Sequence, residues 1–367
     1  MAQEEYDVVV VGARVAGATT AALVGDAGYR VLLIDRHVFP SATLSTHFFR
    51  GADLVSVLKR LRVLDRVLET RCPPLTCEYA YVNGTADRQQ RPPQRPGDIG
   101  YCLSVRRTTL DHLLVRRACQ SSTVELLERC RLTQLHWTAG RLAELELSTP
   151  EGVRRVRARA VVGADGRHSF VARVVQAPTE EAAEPLRALY YCYVRQFPGP
   201  SGGQPDGPEF SRLDDEIAYV FPSDDGVTCI AISINRAAFG WIKKALAARF
   251  RERLLAHRGL ADRFVAAFAA SEVLGSGPEP NYMRVPWGPG WALVGDAGLH
   301  QDPWSGQGMD MAGVHGTFLA EALLEWFSGA ASPVDALAAY HRRRNEHALE
   351  IYRNTVTVGR DLRQLGW

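Results

Sequence analysis

The sequence predicts an α/β fold in which a parallel sheet covered by helices carries an inserted, mostly antiparallel sheet and is followed by a C-terminal helix. An apolar β-branched run, a glycine turn and a helix of small residues open the chain over residues 6–27. The same order of strand, turn and helix returns over residues 291–327. Between them, residues 178–280 contain strand-like runs joined by Gly, Pro and Asp turns. Alternation of strands with helices is typical of a parallel sheet, and consecutive short strands are typical of an antiparallel one.

The composition is that of a globular protein with no global attraction to nucleic acid or to membranes. The chain has 367 residues, 46% of them hydrophobic, which is enough for two closely joined domains. Its 43 basic and 41 acidic residues nearly balance. The seven cysteines are scattered without a Cys-x-x-Cys pair, so we expect reduced thiols and no metal site. No basic leader and no apolar run of membrane-spanning length are present, so we expect a cytoplasmic protein without a membrane span.

The first elements form a βαβ unit. Residues 6–11 suit a strand covered on both faces, residues 17–27 a small-residue helix, and residues 29–34 a second strand that ends at Asp35. The patterns further predict a helix over 54–68, a hairpin turn at Asn83-Gly84, a surface loop over 91–96, a helix over 110–118, short strands over 124–147 and a strand over 153–164. They then predict strands over 188–194, 217–221 and 228–234, a helical stretch over 237–270, a strand over 291–294, a glycine turn at 306–308, a helix over 309–327 and a last helix after the N-cap Ser332.

The first glycine turn matches two of the three glycines in the Gly-x-Gly-x-x-Gly pattern of dinucleotide-binding turns. Gly12 and Gly17 are present, but Arg14 replaces the middle glycine. The helix that begins near Ala16 directs free N–H groups at a pyrophosphate. Asp35 lies 23 residues after Gly12, which fits a carboxylate that binds adenosine ribose hydroxyls and disfavours a 2′-phosphate. Two interpretations of Arg14 stay open. Either its guanidinium contacts the diphosphate, or the turn is degenerate and binds nothing.

A second motif follows the late strand, in LVGDAGLHQDPWSGQGMDMAG. Its Gly295, Asp296, Pro303, Gly306 and Gly308 have the spacing of the Gly-Asp motif, and here the chain resembles the flavin-dependent monooxygenases of the para-hydroxybenzoate hydroxylase superfamily and the related geranylgeranyl reductases. The resemblance implies that Asp296 holds the ribityl hydroxyls of FAD and that Pro303 packs beside the isoalloxazine. It also implies that the backbone from Gly306 to Met309 faces the pyrimidine edge, where a helix N-terminus stabilises reduced flavin.

Two further segments match the same superfamily. VVGADGRHSFVAR has Asp165, Gly166, Ser169 and Arg173 in the register of the Asp-Gly motif, which the family associates with FAD and with transient NAD(P)H contact. In SVRRTTLDHLL, Arg107 corresponds to an arginine that contacts the cofactor in relatives, whereas Arg106 is expected at the solvent or at a sheet edge. The resemblance therefore implies a set of cofactor-binding residues, namely Gly12, Arg14, Ala16, Gly17, Asp35, Arg36, Arg107, Asp165, Asp296, Pro303, Gly306, Gln307, Gly308 and Met309.

The candidate catalytic residues lie in LSTHFFRG, where relatives run a loop along the flavin toward the substrate. His47 and Arg50 are the candidates for polar groups in the active site, although a capping histidine and a surface arginine are equally compatible with the sequence. Trp304 is a candidate wall of the flavin site, with a core tryptophan as the alternative. His300 is a weaker candidate, because relatives with a histidine in this segment usually carry it one position earlier.

The resemblance implies a Rossmann-like FAD-binding domain of the glutathione reductase-like type. It is discontinuous, over 1–75, 98–177 and 281–330. An inserted substrate-binding sheet domain covers 76–97 and 178–280, and a C-terminal helical segment covers 331–367. The aromatic residues of the inserted sheet domain favour a hydrophobic or aromatic substrate. They are Tyr190, Tyr191, Tyr193, Tyr219 and Phe221. The oligomeric state is left open between monomer and homodimer.

The implied activity is an FAD-dependent, NADPH- or NADH-using monooxygenase. It would hydroxylate an organic small molecule, such as a secondary metabolite, with O2 through a flavin C4a-hydroperoxide. Two alternatives stay open, a flavin-dependent reductase of alkene or prenyl substrates and a flavoprotein whose FAD is structural and non-redox. The segment IAYVFP keeps only the Phe-Pro end of the motif that prenyl-chain reductases carry. A halogenase is disfavoured because its Trp-x-Trp-x-Ile-Pro motif is absent and because lysine occurs only three times.

Overall fold

The computed structural model describes residues 4–82, 84–91, 97–138 and 141–365. Its strands are β1 (Glu4–Val11), β2 (Val31–Ile34), β3 (Phe48–Phe49), β4 (Cys77–Val82), β5 (Thr85–Gln90), β6 (Leu103–Ser104), β7 (Val124–Leu127), β8 (Arg131–Thr138), β9 (Arg141–Thr149), β10 (Gly152–Gly163), β11 (Thr179–Ala183), β12 (Arg187–Arg195), β13 (Glu209–Leu213), β14 (Glu216–Pro222), β15 (Val227–Asn235), β16 (Phe268–Ala269), β17 (Leu274–Ser276), β18 (Asn281–Arg284), β19 (Trp287–Gly288), β20 (Trp291–Leu293) and β21 (Leu299–His300).

The helices lie between these strands and at the end of the described chain. They are α1 (Val15–Asp26), α2 (Ser56–Arg60), α3 (Leu64–Leu68), α4 (Arg107–Ala118), α5 (Phe170–Val174), α6 (Phe239–Lys243), α7 (Leu246–Ala256), α8 (Ala261–Ala266), α9 (Gly308–Phe327) and α10 (Pro333–Gly359). Within the described ranges, no helix combines the length and the apolar character that crossing a membrane requires.

The main sheet is mostly parallel, with α1, α4 and α9 on one face and the short α5 on the other. Its order is β19-β20-β10-β1-β2-β7, and the neighbours from β20 to β7 run parallel. Val8 and Val10 of β1 point into a core with residues of α1, α4 and α9, whereas Val9 packs on the opposite side with residues of β9 and α5. The β-branched run that opens the chain is therefore buried on both faces, as its composition predicts. The predicted α/β class is confirmed.

The second sheet has the order β16-β12-β15-β14-β13-β4-β5, with β17 also paired to β12. Most of its pairings are antiparallel, and the three strands predicted in the inserted region lie in β12, β14 and β15. One face packs against α7 through Phe250 and Leu254. The opposite face carries Tyr191, Tyr219 and Phe221 toward the rest of the chain. The predicted domain boundaries stay a prediction.

One aromatic residue of this sheet faces the other way from the rest of the predicted set. Side chains alternate along a strand, so Tyr190 points to the side that packs against α7, away from Tyr191. Tyr190 therefore belongs to the helix-covered core of the sheet.

Two predicted helices are interrupted. In place of one helix over 54–68, a π-helical turn (Gly51–Val55) continues into α2, and Arg62 with a φ of 58° separates α2 from α3. In place of one stretch over 237–270 there are α6, α7 and α8, and Gly259 with a φ of 84° lies between α7 and α8. The breaks between α2 and α3 and between α7 and α8 each use a left-handed residue, which a helix does not accommodate. Between α6 and α7, Ala245 has a φ of −152°, which lies outside the helical range.

Other predicted elements fall where expected. The helices after residues 110, 309 and 332 correspond to α4, α9 and α10, and the Ser332 hydroxyl accepts a bond from the Asp335 amide as the predicted N-cap. The strands β4 and β5 pair antiparallel on either side of the predicted hairpin turn. Asn83 of that turn and residues 92–96 of the predicted loop lie outside the described residues.

Candidate active site

The three sequence motifs meet at the carboxyl edge of the main sheet. Gly12 follows β1, Asp165 follows β10 and Asp296 follows β20, and these strands are parallel neighbours. The Ala164 amide donates to the Val11 carbonyl at 2.8 Å, which holds the first and middle motifs side by side. Open α/β sheets bind their ligands at this edge.

Gly12 and Gly17 allow backbone approaches that no other residue permits. Gly12 has a φ of 105°, and a Cβ on it would lie 2.3 Å from the Ala164 carbonyl oxygen. A Cβ on Gly17 would lie 1.8 Å from the Gly12 carbonyl oxygen. A Cβ on Gly295 would lie 3.0 Å from the Ala16 Cβ, so the first and last motifs also touch. The turn therefore keeps the close packing for which the fingerprint glycines are needed.

Arg14 is held by protein groups. Its Nη1 donates to Asp111 Oδ2 at 2.6 Å, and its Nη2 donates to Ser41 Oγ at 3.1 Å and to the Ala42 carbonyl at 3.2 Å. Arg107 Nε donates to the other oxygen of the buried Asp111 carboxylate at 3.0 Å. Asp111 thus brings two predicted cofactor-binding arginines together, and Arg14 fastens the glycine turn to α4 and to the loop after β2.

The Asp35 carboxylate stabilises the same turn. It accepts hydrogen bonds from the Ala13 amide and from the His37 amide, each at 2.9 Å. Arg36 is exposed beside it. The side chain of Asp35 therefore lies at the end of β2 next to the glycine turn, and its contact with a ribose stays a prediction.

The Asp165 carboxylate is bonded to residues of the loop that follows it and of α5. It accepts from the Ser169 hydroxyl at 2.5 Å, from the Phe170 amide at 2.6 Å and from the Val171 amide at 3.2 Å, which caps α5. Burial raises the pKa of this carboxyl, while the bonds from Ser169 and the amides act against that rise. The side chain of Asp165 builds the loop, and its cofactor role stays a prediction.

Asp296 differs from the other two aspartates. It is partly buried, and within the described chain its carboxylate has no hydrogen-bond or ion-pair partner. The N-termini of α1 and α9 also lack a side-chain cap, with Arg14 and Gln307 at the cap positions. A carboxylate acceptor and two sets of free helical N–H groups fit the hydroxyls, diphosphate and pyrimidine edge of FAD.

The turn before α9 is clamped by Arg50. Its Nη1 donates to the Gly306 carbonyl at 3.1 Å and to Asp310 Oδ2 at 2.9 Å, and its Nη2 donates to the Ser305 carbonyl at 3.2 Å. Asp310 Oδ1 also accepts from the amides of Arg50 and Leu54. Burial raises the pKa of the Asp310 carboxyl, and the Arg50 charge opposes the rise. Arg50 therefore positions the predicted flavin turn.

A small cleft lies where this turn meets the second sheet. Pro303 and Trp304 form one side of it, and the aromatic face of β13 and β14 forms the other. The Tyr219 hydroxyl donates to the Trp304 carbonyl at 2.7 Å, which joins the two sides. The Trp304 indole N–H donates to the Thr355 carbonyl of α10 at 2.9 Å. The aromatic rings of the lining are those of Phe48, Phe210, Tyr219, Phe221 and Trp304.

His47 has an unusual environment. It is a non-glycine residue with a φ of 68°, it is only 1% exposed, and its Nε2 shares a short hydrogen bond with the Tyr193 hydroxyl. Its ring stacks on Tyr193 with centroids 5.5 Å apart and lies edge-on to Tyr191. Its Nδ1 is buried without a hydrogen-bond partner in the part of the chain that the structure describes. A strained, buried polar residue of this kind is characteristic of functional sites.

Burial favours the neutral forms of both His47 and Tyr193. Burial lowers the pKa of His47 well below its usual value, and the nearby charges of Arg107 and Arg106 lower it further. Burial also raises the pKa of Tyr193 well above its usual value. The pair is therefore a neutral imidazole and a neutral phenol at physiological pH.

The structure also locates Arg106 and His300. Arg106 is not at a free edge, because its amide, Nε and Nη2 all donate to the buried Asp224 carboxylate in the turn between β14 and β15. His300 lies on β21, with its Nδ1 2.6 Å from the Pro280 carbonyl oxygen and outside the lining of the cleft. Arg106 thus joins the main sheet region to the second sheet.

The sequence motifs do not reveal the residues that hold the candidate site residues in place. Asp111 holds Arg14 and Arg107, Asp310 holds Arg50, and Tyr193 holds His47. The spacing of Asp111 four residues after Arg107 on a helix was a usable signal. An acidic residue inside the otherwise apolar start of α9 was another, because a buried charge needs a partner.

The fold and this arrangement define a class of protein, the two-sheet flavoprotein oxidoreductases. The chain belongs to the FAD binding domain family, whose profile matches residues 5–191. It is therefore an FAD-dependent oxidoreductase. The match covers the first glycine turn, the Asp165 segment and strands of both sheets.

Individual proteins resemble this chain over nearly its whole length. It is 26% identical to digeranylgeranylglycerophospholipid reductase 1 of Methanopyrus kandleri, over 98% of this chain and 90% of that protein. The probable FAD-dependent monooxygenase PqsL of Pseudomonas aeruginosa superposes with a TM-score of 0.79 at 22% identity, covering 97% of this chain and 95% of that one. The myxobacterial chondrochloren halogenase CndH superposes with a TM-score of 0.82 at 21% identity, covering 96% and 82%. These structural matches show a shared fold.

Proposed function

We propose that the protein is an FAD-dependent monooxygenase that uses NADH or NADPH and O2 to hydroxylate an apolar or aromatic small molecule. The observation that carries the proposal is the cleft, in which Pro303 of the predicted flavin turn faces the aromatic side of the second sheet. A ring or apolar chain bound there would lie next to a flavin held by this turn. Ligand sites in proteins are commonly concave and apolar with a few polar groups.

The protein's part in the reaction is positional. FAD, once bound, supplies the redox chemistry between the nicotinamide donor, O2 and the substrate. Gly12 and the α1 N-terminus would hold its diphosphate, and Asp296 its ribityl hydroxyls. Arg50 would keep the turn at Gly306 in place through its bonds to the Ser305 and Gly306 carbonyls.

The cleft favours a neutral substrate. Its walls are mainly aromatic, the Tyr219 hydroxyl is already bonded to a carbonyl, and the Arg50 charge is paired with Asp310. A substrate carboxylate would compete with Asp310 for the same guanidinium, whereas a flat apolar group would stack on the rings.

His47 and Tyr193 are the proposed proton-handling pair of the site. They are buried and share a hydrogen bond, and both are neutral because burial disfavours their charged forms. Thr46 and Phe48, the neighbours of His47 in sequence, line the cleft, and the His47 Nδ1 has no partner within the described residues. A phenolic or enolic substrate hydroxyl that reached this pair would hydrogen-bond to it, and the neutral Tyr193–His47 pair would relay its proton without holding a lasting charge on the imidazole.

A reductase of alkene or prenyl substrates is the second candidate. The observation that favours it is the similarity to a digeranylgeranylglycerophospholipid reductase along 98% of the chain. The aromatic lining of the cleft is chemically suited to an isoprenoid chain. A halogenase is less favoured, because none of Lys59, Lys243 and Lys244 lines the cleft.

The deciding experiment measures NADH and NADPH oxidation by the FAD-loaded protein with phenolic, polyketide-like and isoprenoid compounds, with and without air. A monooxygenase gives substrate-stimulated oxidation with O2 uptake and a product heavier by one oxygen. Oxygen-independent saturation of an alkene would instead establish the reductase. Donor oxidation that no compound accelerates, in air or without it, would contradict both candidates, as would protein that takes up no FAD.

A further inference from the structure

The three helices that cover the outer face of the second sheet form a strongly basic segment. Residues 236–270 contain eight Lys or Arg residues and two acidic residues, so the segment carries a net charge of +6 while the whole chain carries +2. Two of the three lysines of the protein, Lys243 and Lys244, lie here. The near balance of charge in the whole sequence therefore conceals a local excess.

Half of these cations form no ion pair with a carboxylate of the described residues. Four of the eight arginines and lysines form ion pairs with a carboxylate, namely Arg236, Arg249, Arg253 and Arg263. Lys243, Lys244, Arg251 and Arg258 are exposed, and within the ranges described above no carboxylate pairs with them.

Large apolar side chains are exposed among these cations. Trp241 is 37%, Val265 57% and Phe268 63% exposed. Basic and aromatic side chains are neighbours in this segment: the guanidinium of the ion-paired Arg249 lies 4.6 Å from the centroid of the Trp241 ring, and that of Arg251 lies 5.6 Å from the centroid of the partly buried Phe264 ring. Phe250 and Leu254 anchor α7 to the sheet, which leaves Arg251 and its neighbours on the outward side.

This surface is continuous with the strand that bears the candidate active-site tyrosines. Phe268 pairs with Arg195 of β12, the Ala270 amide donates to the Tyr193 carbonyl at 2.8 Å, and the Tyr193 amide donates to Ser271 Oγ at 2.9 Å. Material held at this surface would lie at the edge of the sheet that forms the cleft.

We propose that α6–α8, with Trp241, Lys243, Lys244, Arg251, Val265 and Phe268, form a peripheral docking surface for an anionic lipid bilayer. Aromatic and aliphatic side chains mixed with unpaired cations match an interface where acyl chains and anionic headgroups lie side by side. Each basic residue near such a surface adds to binding, and the apolar residues insert. We favour a bilayer over an acidic protein because the unpaired cations and the exposed apolar side chains are interleaved along one short segment, and the test below includes a soluble polyanion as the alternative. The proposal does not depend on which flavin reaction the protein performs.

The test is co-sedimentation of the FAD-loaded full chain with vesicles of phosphatidylcholine alone or mixed equally with phosphatidylglycerol. We expect binding to the anionic vesicles that weakens as salt is added. Lys243→Glu/Lys244→Glu should weaken it at least about tenfold, since each lysine contributes about one kcal/mol near an anionic surface. Trp241→Ser/Phe268→Ser should weaken it with less change in the salt dependence.

Matched controls separate this surface from general effects. Trp137 is also 37% exposed but lies on β8, so Trp137→Ser should bind like the wild type. Arg116→Glu/Arg342→Glu changes the net charge by the same amount at exposed positions elsewhere and should also bind normally. Flavin content and thermal midpoint show that each variant is folded. Absence of binding to anionic vesicles, or equal loss in the control variants, would overturn the proposal, as would capture by a soluble polyanion without capture by vesicles.

Discussion

Gly12 and Arg14 lie in the same turn but contribute to it in different ways. Gly12 is required by the backbone itself, because it has a φ of 105° and no room for a Cβ. Arg14 adds side-chain bonds to Asp111 and to residues 41 and 42. The missing middle glycine is therefore compensated by contacts that lead away from the turn.

We predict opposite outcomes for substitutions at these two positions. Gly12→Ala should abolish FAD binding and destabilise the fold, since backbone strain alone costs about 1–3 kcal/mol. Arg14→Gly should retain FAD with less than about a tenfold change in Kd, which corresponds to 1.4 kcal/mol. Flavin fluorescence titration measures both. Gly203→Ala is the control, because a Cβ there meets no atom within 4 Å. Complete loss of flavin in Arg14→Gly would show that the guanidinium itself binds the cofactor.

The strained conformation of His47 allows a selective test of its proton role. Asparagine tolerates the left-handed region, so His47→Asn should fold and bind FAD. Its turnover should fall by about 10²–10⁴-fold, the usual contribution of a general acid or base. Stopped-flow reduction and product analysis measure this, together with the pH profile of turnover. His300→Asn changes a buried histidine that packs on Tyr282 rather than on the tyrosines of β12, and it should keep normal turnover. A His47→Asn enzyme with an unchanged rate and pH profile would assign His47 a purely structural role.

At the scale of elements, the start of α9 depends on the contact between Arg50 and Asp310. The carboxylate is 1% exposed, and it also receives the Arg50 and Leu54 amides. We predict that Asp310→Asn lowers the free energy of unfolding by roughly 3 kcal/mol, because breaking a buried pair leaves a charge without its partner. FAD affinity should decrease as well, because the turn at Gly306 loses its clamp.

Chemical denaturation and FAD titration measure these two losses. Glu325→Gln, an exposed position on the same helix, is the control and should change neither quantity. Normal flavin affinity in a destabilised Asp310→Asn protein would mean that the clamp serves folding alone.

The packing of α10 on α9 contains a buried histidine that makes stability depend on pH. His315 is 1% exposed, its Nε2 lies 3.2 Å from His347 Nδ1, and burial lowers its pKa well below 6.5. The unfolded chain therefore binds more protons than the folded one once the pH falls below about 6.5. Stability contributed by the neutral form is complete above this pH and decreases as the pH falls.

We predict that the wild type loses stability between pH 7 and pH 5 and that His315→Gln reduces this loss by up to about 2 kcal/mol. Urea denaturation at the two pH values measures it. The matched control is His168→Gln, at an exposed position. An identical pH dependence in His315→Gln and the wild type would show that other groups determine it, and His47 is the nearest alternative because its pKa shifts in the same direction.

At the scale of the whole molecule, Arg106 ties the main sheet region to the second sheet. Its bonds to Asp224 measure 2.8, 3.1 and 2.9 Å, and the Thr109 hydroxyl donates to the same carboxylate at 2.7 Å. We predict that Arg106→Ala lowers the free energy of unfolding by about 3–5 kcal/mol, because Asp224 stays buried without its cation.

The control for this contact is the ion pair of Asp225, which follows Asp224 in the turn between β14 and β15. Arg195 pairs with Asp225 at an exposed position, so Arg195→Ala should leave the free energy of unfolding nearly unchanged. Equal effects of the two substitutions in denaturant titrations would show that the Arg106 pair is no more important than a surface ion pair.

The features that the sequence predicts correctly depend on residues that lie close together in the chain. The strand, glycine turn and helix at residues 6–27 involve neighbours in sequence, and so does the segment from Gly295 to Gly308. The α/β class and the FAD-dependent oxidoreductase family follow from such motifs, and both are confirmed. The helices over 54–68 and 237–270 were predicted too long because a single left-handed residue, such as Arg62 or Gly259, ends a helix without disturbing the apolar pattern.

The sequence by itself determined the fold class, the cofactor and the segments that meet at the carboxyl edge of the main sheet, because glycine turns and strand ends are encoded over a few residues. Only the tertiary structure decided that Asp111 holds Arg14, that Asp310 holds Arg50, and that Tyr193 meets His47. It also decided that unpaired cations and exposed aromatics gather over one sheet while the total charge stays near zero. These features join or separate residues far apart in the chain, and only the packing of sheet faces determines which of them meet.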